Sequence, residues 1–563
     1  MIKRSCILFV FLLLALLIGA VQAQDGSRAL RVAFTEEPEM LINYFSIAGL
    51  VDWLHRLHSI PQWGMTASGE VVPQLVDELP SPENGGVSLN DEGNTVIKFT
   101  IADWAVWSDG TPITADDFLL PYDIRYDGIS TLIPAWFLDS SEGVVEQGET
   151  EKDVVITYPN PNPDWHLADI IPLPNHVLRE GYEAGLAEGQ GFEVSHADFL
   201  RAPTVSNGPF VFEEWVTGSY IRFVRNENYW KDVWMDEVQL QFFQDATVIE
   251  QLFEARELDQ TNYILPASRS VEFADQFDYL DVRPYFDSLK LELRLNMGPN
   301  GHPALKDVRV RKAILMAIDR QFMVDEIYDG LSQVANSFWG TTTWENKDIP
   351  VPEYDPEGAI ALLAEAGWLD EDGDGVVEAH GVEGVEDGMK LEMIATTYSE
   401  IQHYQDSLLY IQDALSDIGL SVDITLYTIP VIHSDWNANS PWITGIHDLY
   451  LLGWWGAQES IGVWGPYACA DIPSAENPSG QNAGHICNER MDELWNALFV
   501  TLEPAERQAQ ADEIQYIMAD EALTLYLLET AQVTLYNTGL EWESHLAADM
   551  SPWLTVEEWR FVE

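Results

Sequence analysis

The sequence predicts a mixed α/β fold built from more than one domain, and three observations carry that expectation. Strand-like and helix-like segments alternate along most of the chain, which favours sheets covered by helices. At 563 residues the chain is too long for one ordinary hydrophobic core. No tandem repeat or low-complexity linker separates the segments, so the domains should interleave through chain crossings. With 46% apolar and 11% aromatic residues, disorder is excluded.

The first segment reads as an address. Lys3 and Arg4 precede the apolar run Ile7–Ile18, and Val21-Gln22-Ala23 fits a small-x-small cleavage site, so residues 1–23 are expected to be a cleaved signal peptide. The run is too short to cross about 30 Å of hydrocarbon. Cys6 lies before it, without a lipobox, so no lipid anchor is expected. A formal net charge of −65 argues against nucleic acid or anionic lipid as partners. The acidic residues are spread along the whole chain, which suits a surface kept hydrated in a demanding medium.

Ala29–Phe34 reads as the first strand, and Asn94–Ile101 alternates like a half-buried one. Ser108–Thr114 is turn chemistry, after which Ala115-Asp116-Asp117-Phe118 opens a helix with acidic groups at its N-terminal dipole. Asn207-Gly208-Pro209 breaks the chain before strand-like Phe210–Trp215 and Tyr220–Arg225. Arg311–Tyr328 is expected to be one amphipathic helix with Ile314, Ala317, Ile318 and Phe322 inward. A second helix should start at N-cap Asp355 and Pro356, bury Ile360, Leu363 and Ala366, and stop at Gly367. Cys469 and Cys487 flank a Pro-, Gly- and Asn-rich loop and are expected to form a disulfide in an exported protein. Asp370-Glu371-Asp372-Gly373-Asp374-Gly375 begins like a calcium loop, but position twelve is Gly381 instead of a bidentate glutamate. A polar turn without metal is expected there.

Five stretches in order resemble landmarks of the family 5 extracellular solute-binding proteins, the ligand-capturing subunits of peptide-type ABC importers. They are GEVVPQL at Gly69–Leu75, WSDGTPITADDF at Trp107–Phe118, VSNGPFVFEEW with NENYW at Val205–Trp215 and Asn226–Trp230, the VRKA…AIDR helix within Ala304–Gly330, and Gly480–Leu494. The resemblance implies a two-lobed periplasmic-binding-protein type II fold with an extra subdomain inserted in the first lobe. Lobe I would comprise residues 24–60, 195–285 and 525–563, the insert 61–194, and lobe II 286–524. It further implies capture of a peptide or similar solute by hinge closure, delivery to a membrane permease, a periplasmic or extracellular location, a monomer and no cofactor.

In peptide-binding relatives a segment similar to GW-x-x-D-x-x-x-P lines the cleft, its Asp pairing with the ligand's α-ammonium. Here that segment runs from Gly453 to Ile461, and Ala457 stands where the Asp is expected. Glu459, two residues on, is the candidate substitute. Trp454 and Trp455 should point to opposite faces of an extended segment, with Trp454 toward the ligand. Trp436 and Trp442 are further candidates for an aromatic platform. With 21 tryptophans and no Asp, an oligosaccharide ligand competes with a peptide. A secreted hydrolase is the alternative from another class, but no GxSxG, HExxH, P-loop or dinucleotide fingerprint is present.

Overall fold

A computed structural model of the chain describes residues 28–46, 49–66, 70–130, 143–167, 170–243, 245–261, 267–340, 342–434, 436–455, 465–542, 553 and 555–562. The expected signal peptide lies outside them. The α/β expectation holds. One large mixed sheet collects β1 (Ala29–Phe34), β2 (Phe210–Val216), β3 (Tyr220–Arg225), β4 (Glu237–Phe242), β5 (Gln260–Thr261), β6 (Leu280–Leu295), β7 (Glu392–Tyr398), β8 (Ser421–Tyr427), β9 (Leu449–Trp455) and β10 (Thr524–Asn537). Their order is β8-β7-β9-β6-β10-β5-β1-β4-β3-β2, with Gln333–Val334 pairing to β10 off this path.

The sheet is one ladder but serves two bodies. Leu30, Val32 and Phe34 of β1 share a core with Phe210, Ile221 and Phe223. Leu291, Leu293 and Leu295 of β6 lie in another, with Leu525, Leu527 and Leu528 of β10. That second core is covered by α2 (Val308–Met316), α3 (Pro356–Glu365) and α4 (Gln402–Ser416). Among the described strands, only β6 and β10, at 16 and 14 residues, are long enough to serve both bodies. They pair antiparallel from Leu280↔Asn537 to Arg294↔Thr524, and their register breaks between Phe286 and Lys290. Such a break bends the ladder where one body gives way to the other. A separate four-stranded sheet, Val87–Leu89, Thr95–Thr100, Asp153–Tyr158 and Val144–Gln147, builds a third core with Phe118 of α1 (Ala115–Tyr126).

Local sequence logic explains the ends. The Asp117 carboxylate accepts from the Thr114 amide at 2.8 Å, closing the start of the 115–126 helix. Asp355 accepts from the Gly358 amide at 2.8 Å, and Gly367 adopts φ +90° just past α3. Asn207 clamps the backbone of Ile60, accepting at 3.0 Å and donating at 2.8 Å. A Cβ on Gly208 would stand 2.6 Å from the His58 backbone, so the Asn-Gly-Pro break is a close crossing of two chain segments.

Three expectations fail. The predicted 311–328 helix is divided: α2 ends at Met316, and Asp319 caps a new short turn by accepting from the Phe322 amide at 3.0 Å, followed by a π-turn at Met323–Ile327. A capping carboxylate competes with continued helix, and here it wins. Phe322 is therefore outward, 43% exposed and stacked on Tyr410, and Ile360 is 49% exposed on the outer side of α3.

Cys469 and Cys487 are bonded, as expected. Reduction should destabilise the protein by roughly 3 kcal/mol on the chain-entropy scale. Thiol labelling of denatured, unreduced protein should find neither cysteine reactive; two labels per chain would reject the bridge.

Candidate functional site

The stretch Leu289–Leu295, LKLELRL, alternates leucines with Lys290, Glu292 and Arg294, so β6 puts all three charges on one face. That face is not exposed. Lys290, Glu292 and Arg294 are 0%, 0% and 4% exposed. The centre is covered on this side by Tyr467 and Tyr526, which lie in a core with Trp339 and with Trp495 of α5 (Glu489–Leu498), the helix paired with α6 (Pro504–Asp520).

Lys290 donates to Glu529 at 2.7 Å and to the Gly340 carbonyl at 3.0 Å, and Gln333 donates to the other Glu529 oxygen at 2.9 Å. This pair is well satisfied and lies at the register break of the two long strands. Next to it, Arg294 donates through Nε to Glu292 Oε2 at 2.9 Å. Glu292 Oε1 and Arg294 Nη2 are buried and have no hydrogen-bond partner among the described residues. Leaving such atoms unmatched costs about 1–3 kcal/mol each. Burial raises the Glu292 carboxyl above its ordinary value, against the pull of Arg294 and Lys290. Burial alone would lower Arg294, but Glu292 beside it more than offsets this, so the guanidinium keeps its proton.

Aromatic rings enclose the guanidinium. Its carbon lies 4.5 Å from the Trp454 centroid, 5.6 Å from Trp442 and 5.7 Å from Tyr467. Trp442 and Trp454 meet edge to face at 5.7 Å. Trp442 is 3% exposed, whereas Trp454 is only partly buried and forms the accessible rim. Trp454 is placed by β9, where it sits opposite Lys290, and by Gly453, where a Cβ would come within 2.1 Å of the Tyr404 hydroxyl. Behind Trp442, His433 Nε2 lies 2.8 Å from the Tyr398 hydroxyl, and burial followed by the Arg294 charge lowers its pKa.

Of the sequence-predicted residues, Trp454 and Trp442 are brought together at this centre. Trp436 packs separately against the same lobe's core. Trp455 takes the next register position, opposite Leu289, but its side chain lies outside the described residues, as do Ala457 and Glu459. In the Asp370 loop, oxygens of Asp370, Asp372, Asp374 and Glu378 come within 4.8 Å of one another. Lys390 enters the same cluster, pairing with Asp374 and, at 3.6 Å, with Asp372, and so supplies positive charge from within the chain.

A second buried ion pair joins α6 to the segment beside the four-stranded sheet. Arg507 of α6 forms a bidentate pair with Asp164, next to the four-stranded sheet, one bond measuring 2.7 Å. Arg507 is 5% exposed as a side chain, donates also to the Leu498 carbonyl, and lies 4.9 Å from the Trp344 ring.

Sequence reasoning missed Lys290, Glu292, Arg294, Glu529 and the Arg507–Asp164 pair. The available signal was LKLELRL itself, a charged strand face in which opposite signs follow one another at every second residue.

Residues 70–462 match the model of the bacterial extracellular solute-binding proteins, family 5. The chain is 27% identical over 344 residues to the oligopeptide-binding protein AppA of Bacillus subtilis, covering 60% of this chain and 58% of that one, so the match spans little more than half of the relative. It is 26% identical over 497 residues to protein XP55 of Streptomyces lividans, covering 86% and 82%. The structure of the Bacillus subtilis AppA, solved with a nonapeptide, superposes with a TM-score of 0.63 at 20% identity, covering 95% of this chain and 99% of that one. That likeness establishes the two-lobed fold.

Proposed function

We propose, from the premise that this chain belongs to the family 5 extracellular solute-binding proteins, that it is the extracytoplasmic ligand-capturing subunit of an ABC importer, closing its lobes around a peptide and presenting it to a membrane permease. The family is one of binding proteins, which sets the hydrolase alternative aside. One observation carries the placement of the site: the aromatic-walled charged centre of Trp442, Trp454, Glu292 and Arg294 lies beside the break in the two strands that run between the lobes. A ligand held there touches the element that must bend. Closure then follows from tighter binding to the closed form, with no chemistry required.

The peptide class is supported by the name and bound nonapeptide of AppA. For the domain division we retain the sequence boundaries with one change, the return to lobe I starting after Glu529, because Leu525, Leu527 and Leu528 pack with β6 in the lobe II core. We retain a monomer, outside the cytoplasm.

Native mass spectrometry of gently purified protein should find a co-purifying ligand, and small-angle scattering should show a smaller radius of gyration with ligand than without. An unchanged radius with a confirmed tight ligand would sink hinge closure. Trp454→Ala should weaken binding by roughly 1–3 kcal/mol, the scale of one large apolar side chain. Undiminished affinity in calorimetry would remove Trp454 from the site.

A further inference from the structure

We propose that Glu292 and Arg294 form a ligand subsite selective for an uncharged group that both donates and accepts hydrogen bonds, such as a peptide amide, and set against a free terminal ammonium or carboxylate. The inference rests on placing the ligand at Trp454.

Four charged side chains share the centre, and their signs cancel: Lys290 with Glu529, and Arg294 with Glu292. The first pair is saturated by Gly340 and Gln333. The second keeps one acceptor, Glu292 Oε1, and one donor, Arg294 Nη2, both buried and both without a partner among the described residues. Among the described residues, the other titratable groups around them are Tyr398, Tyr467 and Tyr526, each raised by burial, and His433, lowered by it; all four stay neutral at pH 7.

An amide has the complementary pair, an N–H for Glu292 Oε1 and a C=O for Arg294 Nη2, and satisfies both atoms without adding charge. An ammonium on Glu292 would instead bring a third cation beside Arg294 and Lys290, and a carboxylate on Arg294 would bring a third anion beside Glu292 and Glu529. Net charge is strongly disfavoured where water is excluded. The centre therefore discriminates by neutrality.

The test is a calorimetric panel of pentapeptides, each free, N-acetylated, C-amidated or both, together with neutral, uronic-acid and amino-sugar oligosaccharides. Wild-type protein should lose less than about threefold in affinity on capping either terminus. Glu292→Gln, which keeps shape and leaves one net positive charge, should shift preference at least tenfold toward ligands with a carboxylate. Arg294→Gln should shift it comparably toward those with an ammonium, and the Glu292→Gln/Arg294→Gln double variant should return to neutral preference. Folding is checked by melting temperature. Folded single variants that keep the wild-type ranking would overturn the subsite, as would a wild-type protein that loses tenfold or more on capping. Binding of sugars but no peptide would instead overturn the peptide ligand alone, and the same variants are then judged on the neutral, uronic-acid and amino-sugar members.

Discussion

Replacing Lys290 with methionine is expected to destabilise the protein by roughly 3–5 kcal/mol, the scale for removing one partner of a buried ion pair. Lys290 and Glu529 have side chains 0% and 1% exposed, so solvent cannot take over the lost charge. Methionine keeps most of the volume, and the effect is therefore electrostatic and not a cavity. Gln333 still donates to Glu529 but carries no charge, and the Gly340 carbonyl loses its Lys290 donor. Glu292 also loses a cation that favours its ionised form. Lys290→Met/Glu529→Leu should recover much of the loss, because an apolar pair of similar volume leaves no buried charge unmatched. Denaturant unfolding of wild type, both single variants and the double variant measures the coupling. A single variant within about 1 kcal/mol of wild type, the scale of an exposed pair, would mean that the pair is open to water.

The contrast between what the sequence revealed and what it concealed follows from the range of the interactions. Ala29–Phe34 could be read because its propensity and apolar content act locally, and the starts of the 115–126 helix and α3 because a cap involves residues three apart. Cys469 and Cys487 could be paired because they close a loop with no rival cysteine among the described residues. The order of landmarks made the two-lobed fold legible. The helix after Asp307 was drawn too long because the apolar spacing continues through Ala317 and Ile318, while Asp319 stops it with a single side-chain bond. The charged face of β6 could not be placed. Alternation says that Lys290, Glu292 and Arg294 share a face, but whether that face meets water depends on Tyr467, Tyr526 and the α5–α6 layer, more than 170 residues further along. Trp454 was legible only by its likeness to a cleft-lining position. Its packing on a guanidinium from another strand was not.

Removing the Arg507 side chain is expected to open the ligand-free protein. Arg507 and Asp164 are 343 residues apart and join α6, which the proposed division places in lobe II, to the segment beside the four-stranded sheet. Their pair is bidentate and mostly buried, a geometry whose charge-assisted hydrogen bonds contribute about 1.5–3 kcal/mol. On the proposed domain division this contact joins lobe II to the insert of lobe I, so its free energy is expected to bear on the balance between closed and open forms more than on the folding of either body. At about 1.4 kcal/mol per factor of ten, Arg507→Ala should lower the closed-to-open ratio by tenfold or more. Since ligand affinity falls with the fraction of competent closed protein, binding should weaken by at most the same factor, and in full proportion only where the closed form is the minority before ligand arrives. Scattering should find a larger radius of gyration for the ligand-free variant, converging on the wild-type value once ligand saturates it. Asp164→Asn, which keeps a hydrogen-bond acceptor, should shift the radius in the same direction by less. The two predictions separate two roles: a variant that melts early with an unchanged radius would make the pair a support for α6, where Arg507 also holds the Leu498 carbonyl. A variant with wild-type melting, an expanded ligand-free form and weaker binding identifies it as the contact that holds the lobes together.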